Sequence, residues 1–170
     1  MPSKSTFLPK ISKEEINKAR ASDDDNELYD LLTQPLHAEL YKNQSFDFMD
    51  GLSEGQQLLL AYDYARMQVL QGGFIQFIEN GYIGLLPGMI EQLYMIGAND
   101  MAKVMDDVLK VYVLNRELLS KPSTVQEFAK LYDELKEFEE IDARFEKYNA
   151  HATLLMLDYA VNHLDDFITT

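Results

Sequence analysis

The sequence contains no cysteine, so disulfide bonds and thiolate chemistry are excluded. Long apolar runs are also missing. The longest candidate, Leu58-Leu59-Leu60-Ala61-Tyr62, ends at Asp63, well short of the roughly 18 residues a membrane span needs. The first residues, MPSKSTFLPK, lack the apolar core of a signal peptide, and a cytoplasmic location is the expectation. Bases are scarce: 15 Lys and Arg stand against 29 Asp and Glu, a net charge of −14. Neutralising phosphate needs clustered Lys and Arg, so neither nucleic acid nor an anionic membrane is an expected partner. An acidic surface attracts basic proteins and speeds their encounter. It also serves simply to keep a protein dissolved.

Catalytic signatures are equally sparse. The histidines are His37, His151 and His163. Helical metal sites place His and carboxylate at i, i+3 or i+4. His163 with Asp166 has that spacing but stands alone, and the paired E-x-x-H motifs of a di-iron bundle are missing. No serine sits in a G-x-S-x-G elbow, and no G-x-x-x-x-G-K-[ST] loop cradles phosphate. Neighbouring carboxylates such as Asp106-Asp107 and Glu139-Glu140 diverge by about 100° on a helix. No enzyme activity, metal or cofactor is expected.

What the chain does have is apolar residues at helical spacing. Hydrophobic residues make up 46% of 170, enough for a sizeable core. No segment alternates like a strand. The expected class is all-α, a single compact domain of about seven to nine helices over residues 11–170, after a flexible end at 1–10. Ser12 and Glu15 form a capping box for a helix to about Ala21. Asp23, Asp24 and Asp25 open a second helix, which Pro35 bends or restarts on the way to Tyr41. Residues 42–52 read as a loop. Ser53 caps a third helix, 54–71, with Leu58, Ala61, Tyr62, Ala65, Val69 and Leu70 on its buried face. Pro87 opens a helix that Gly97 stops, and Asn99 or Asp100 caps a longer one reaching about Leu119. Pro122-Ser123 resets the chain. Phe128, Leu131, Leu135, Phe138, Ile141, Phe145 and Tyr148 form one apolar stripe. Asp142 falls on its apolar side, which implies a break near Glu139–Asp142. A last helix, 150–168, buries Leu154, Leu157, Ala160, Leu164 and Phe167. Met67, Tyr94 and Met95 read as core or core edge.

Five of the eight glycines, Gly72, Gly73, Gly81, Gly84 and Gly88, fall between Gln68 and Met89. Glycine inside a helix costs about 1 kcal/mol against alanine, so these positions are placed between short helices, where the centre of the domain bends. The segment Leu70-Gln71-Gly72-Gly73-Phe74-Ile75-Gln76-Phe77-Ile78-Glu79-Asn80-Gly81, with Ile96-Gly97-Ala98 and the helix from Met101, carries a pattern G-G-F-x-Q-F-x-x-N followed by a Gly turn and an I-G-A step. Over roughly 50–120 it resembles the bacterial DNA-mimic protein family, long catalogued as a domain of unknown function. The family's usual first Asn is Gln71 here. The resemblance implies an all-helical acidic protein. It also implies carboxylates placed where DNA would place phosphates, filling the DNA-binding surface of a transcription factor. The motif itself reads as a fold determinant: two small residues for a sharp turn, then Phe74 and Phe77 for the core.

Charge density suggests where such a surface lies. Residues 43–102 hold seven acids and Arg66 as the only base, and residues 122–170 hold eleven acids and four bases. From the first come Asp47, Asp50, Glu54, Asp63, Glu79 and Glu91. From the second come Asp133, Glu137 and Glu140, spaced over about 10 Å if one helix carries them. The i, i+4 pairs Glu140–Arg144 and Lys130–Glu134 would neutralise part of that row. The expected function is an acidic protein-interaction module that acts as a DNA mimic on a basic partner, a DNA-binding transcription factor. The alternative is a structural or immunity-like helical binding module whose acidity serves solubility only. A homodimer is compatible with either.

Overall fold

The computed structural model describes residues 5–119 and 124–170, the side chain of Phe128 excepted. The expected reset at Pro122-Ser123 and the place of Phe128 in the apolar stripe lie outside what is described. Among the described residues the class is all-α, with eight α-helices, three 3-10 turns and no strand. One isolated bridge joins Lys10 to Thr169. The backbone packs as two compact units: residues up to Leu60 with Thr153–Thr170, and Ala61–Ala152.

In the first unit, α1 (Lys13–Ala21) starts at the expected capping box, with Ser12 Oγ accepting from Glu15 N–H and Glu15 returning a bond to the Ser12 N–H. Helix α2 (Asn26–Asn43) continues unbroken past Pro35 rather than restarting there. Its start is secured by Asp24, whose Oδ1 accepts from Asn26 N–H at 2.9 Å. The expected loop 42–52 contains a 3-10 turn, Phe46–Gly51, entered through Ser45. Residues 5–10 are tied down: Thr6 N–H donates to Gly51 O at 2.8 Å and Ile11 N–H to Thr169 O at 3.0 Å. Gln56, 1% exposed, is the hub of that arrangement. Its Nε2 donates to Phe7 O at 2.8 Å and its Oε1 accepts from Ser5 and Ser53. The core here includes Ile16, Tyr29, Leu36, Leu58 and Leu59.

The second unit is organised around the break in α3 (Glu54–Glu79). Gly72 (φ −146°, ψ 16°) and Gly73 (φ 76°, ψ −178°) are non-helical, so α3 is two helices meeting at a bend. Phe74 and Phe77 then drop into the core with no exposed surface. Phe74 meets Phe145 edge-on, with ring centroids 5.6 Å apart. Tyr62 stacks on Phe145 at 5.9 Å and donates its hydroxyl to Asn149 Oδ1 at 2.6 Å. A 3-10 turn, Ile83–Leu85, leads to α4 (Leu86–Met95) with Pro87 in its first turn, as expected. Helix α4 packs against α5 (Asn99–Leu114) across the positive-φ Gly97.

Four boundaries depart from the sequence expectation. The helix toward Leu119 breaks at Asn115 (φ −121°, ψ 27°), whose Nδ2 joins its own N–H on Val111 O, at 2.9 and 3.1 Å; α6 is the short Arg116–Leu119. A second capping box, Thr124 with Glu127, starts α7 (Val125–Glu134). The stripe breaks at Leu135 (φ −111°, ψ 64°), not at Glu139–Asp142, and α8 runs unbroken from Glu137 to Asn162. It stops short of 168, and a 3-10 turn, Leu164–Asp166, follows. Side chains placed in the core also depart: Leu70, Tyr94, Met67, Leu154 and Met95 are all more than 40% exposed, with Leu70 at 52%.

Candidate functional site

The break in α3 is held from outside by two side chains. Tyr132, near the end of α7, donates its hydroxyl to Gly72 O at 2.6 Å and to Asp142 Oδ2 at 3.1 Å. The other carboxylate oxygen of Asp142 accepts from Phe74 N–H at 2.9 Å. Asp142 thus acts as an N-cap. The helix it caps is the second half of α3, 68 residues away in sequence, and not its own. Burial pushes the Asp142 carboxyl above the usual carboxylate range, with the negative charges of Glu146 and Glu139 adding to it. Its two hydrogen bonds pull the other way. Burial, with Asp142 beside it, raises the Tyr132 hydroxyl too, so Tyr132 stays protonated and remains a donor.

This clamp positions an acidic elbow. Asp133 follows Tyr132 directly at the end of α7, and Glu137 and Glu140 lie in the first turn of α8, two to five residues before Asp142. The three candidates therefore sit on two helices and do not form the single 10 Å row that one helix would have given. All three are exposed, with Glu134 and Glu139 beside them. The expected Glu140–Arg144 pair does not form, because Arg144 reaches Asp107 on α5 at 2.7 Å. Lys130–Glu134 is not an ion pair either among the described residues. The elbow is consequently less neutralised than the sequence suggested. A local role competes: Glu137, Glu139 and Glu140 face the positive end of the α8 dipole, worth about 0.3–1 kcal/mol each at an exposed site.

The remaining candidates separate. Asp47 and Asp50 lie in the 3-10 turn Phe46–Gly51 and Glu54 in the first turn of α3, all exposed and all in the first unit. Asp63 is 6% exposed and bound to Arg66 at 3.2 Å, so it offers no free carboxylate to a partner. The one base of 43–102 is thereby spent on the one buried acid. Glu79 is half-buried at the end of α3, and Glu91 is exposed on α4. Among the described residues Asp47, Asp50, Glu54, Glu91, Asp133, Glu137 and Glu140 take part in no ion pair. No group of three metal-ligating side chains is found among those residues, and no helix there is long and apolar enough to cross a membrane.

Residues 50–163 match the profile of a family described as DMP19-like protein. The chain belongs to the DMP19-like family. That match reaches past the G-G-F-x-Q-F-x-x-N segment and takes in α7 and all of α8, so the family segment includes both the glycine break and the side chains that clamp it. It is the DNA-mimic family that the motif resembled. The comparison with curated proteins finds no match. Tyr132 and Asp142 are the positioning residues that sequence reasoning missed. Nothing in periodicity connects an acid in one helix with a bend in another.

Proposed function

We propose that this DMP19-like chain is an acidic binding module whose exposed carboxylates occupy the DNA-binding surface of a basic, DNA-binding regulator. The observation that carries the reading is the elbow of α7 and α8. There Asp133, Glu137 and Glu140 are exposed, free of ion pairs among the described residues, and anchored through Tyr132 and Asp142 to the glycine break of the family segment. Preorganisation matters for this role. Duplex DNA presents its charges at fixed spacing, one per about 1.7 Å of axis, and a mimic on a rigid support does not have to order its carboxylates on binding. The partner in this reading is a protein, and the module itself holds neither nucleic acid nor cofactor.

The test uses the immobilised chain, a set of purified helix-turn-helix regulators, and duplex DNA as competitor. A bound regulator is expected to be displaced by its own operator duplex and to lose affinity at least about tenfold between about 50 and 300 mM salt. The triple variant Asp133→Lys, Glu137→Lys, Glu140→Lys is expected to abolish capture while keeping the wild-type helical circular dichroism. Binding that survives both operator DNA and the triple variant would reject the elbow as the contact. The helix-dipole role of Glu137 and Glu140 would then stand, and the module would be one whose acidity serves solubility.

A further inference from the structure

Helices α1 and α2 enclose between them a groove of about 640 Å³, open to solvent. Its floor is apolar and comes from buried Ala19 with half-buried Leu31 and Pro35. Its rim carries exposed Glu15, Glu27 and Asp30, against Lys18 as the one cation lining it among the described residues. On α2 the residues Glu27, Asp30, Leu31 and Gln34 follow i, i+3, i+4, i+7, so the helix turns one continuous face to the groove, acidic above and apolar below. Glu27 and Asp30 take part in no ion pair among the described residues. Glu15 is fixed in place by accepting from the Ser12 N–H at 2.8 Å.

Pro35 lies inside α2 and has no N–H, so the carbonyl of Leu31 receives no helical hydrogen bond from it. Pro35 itself lines the groove, so its ring adds to the apolar floor. Every polar feature here except Lys18 and Gln34 asks for a donor or a positive charge. The charge pattern excludes an acidic peptide or nucleic acid, and the apolar floor gives a purely polar basic tail little to bury.

We propose that the α1–α2 groove docks an amphipathic helix of a partner protein, one with an apolar stripe flanked by Lys or Arg. Apolar residues at i, i+3 or i+4 and i+7 of that helix cover Ala19, Leu31 and Pro35, and its basic flanks meet Glu27 and Asp30. The groove lies outside residues 50–163, the segment matched to the family, and belongs to the first unit, whereas the acidic elbow belongs to the second. It does not rest on the DNA-mimic reading.

The probe is a fluorescent helical peptide of about four turns made only of Leu and Lys, Leu on one face. A peptide of the same composition in scrambled order serves as the control for charge alone. Anisotropy is expected to show binding at least about tenfold tighter for the patterned peptide. Glu27→Lys with Asp30→Lys, and separately Leu31→Asp, are each expected to weaken it about tenfold or more. The double variant Asp100→Lys, Asp165→Lys makes the same charge change elsewhere and is expected to leave affinity within about twofold. Glu27→Gln with Asp30→Asn, which keeps shape, is expected to give a smaller loss and guards against misfolding, followed by circular dichroism. Equal binding of the scrambled peptide, or equal loss in the Asp100/Asp165 variant, overturns the proposal. So does a wild-type dimer in sedimentation that Leu31→Asp dissociates, since the groove would then hold a second copy.

Discussion

Replacing Gly73 by alanine tests the architecture most directly. Two costs add at this position. Its backbone (φ 76°, ψ −178°) lies in a region that only glycine adopts readily, and forcing a side chain into it costs about 1–3 kcal/mol. A Cβ there would also collide with the Tyr132 hydroxyl and the Asp142 carboxylate. Relieving the collision means giving up the clamp, whose charge-assisted bonds are worth about 1.5–3 kcal/mol when one is lost. The sum is about 2.5–6 kcal/mol, a large share of the roughly 5–15 kcal/mol typical of a whole protein. Two controls separate the terms. Gly81 has φ 86° but nothing within 4 Å of a Cβ, so Gly81→Ala carries only the left-handed cost of about 1–2 kcal/mol. Gly88, inside α4, has neither a positive φ nor a neighbour, and Gly88→Ala is expected to stabilise by up to about 1 kcal/mol. Urea unfolding followed by circular dichroism gives the three values. If Gly73→Ala costs no more than Gly81→Ala, the clamp contributes nothing and the account of the break is wrong.

Two further perturbations follow from the same hydrogen bonds. Asp142→Ala removes the acceptor for Phe74 N–H and is expected to cost about 2 kcal/mol. Asp142→Asn keeps an acceptor, and Tyr132 can accept from its amide, so the cost stays within about 1 kcal/mol. The pH profile separates charge from shape. The folded Asp142 carboxyl titrates above its unfolded value because of burial, so its contribution is fully present below the ordinary carboxylate range and is lost as pH rises through the raised value. Urea midpoints from about pH 4 to 8 should show that decline in wild type and not in Asp142→Asn; parallel profiles would refute it. Gln56→Ala leaves the carbonyls of Phe7 and Phe167 without its amide, at about 2–3 kcal/mol. Hydrogen exchange at Thr6 and Ile11 is expected to accelerate, and unchanged protection there would show that Gln56 is not the hub.

The acidic elbow shows how far the sequence could be followed. Charge density singles out Asp133, Glu137 and Glu140, and all three lie exposed. The row itself was lost, because Leu135 leaves the helical region while its neighbours keep helical spacing. An apolar stripe that runs smoothly through a break looks the same in one helix and in two. Arg144 was assigned to Glu140 by i, i+4 proximity and instead reaches Asp107, a choice that depends on where α5 lies. Asp63 had the same sequence credentials as Glu91, yet only Asp63 is buried.

Sequence alone determined the helical class, the capping box at Ser12, the break at Gly72-Gly73 and the excess of negative charge. Each rests on local geometry or on counting: a hydroxyl three residues from an amide, a missing Cβ, an imbalance of ionisable groups. Tertiary structure decided what fills the break and which carboxylates face outward. It also decided that α1 and α2 would leave a groove between them, lined by Pro35. Those outcomes depend on groups far apart in the chain, and no periodicity within a helix records which neighbour will come to lie against it.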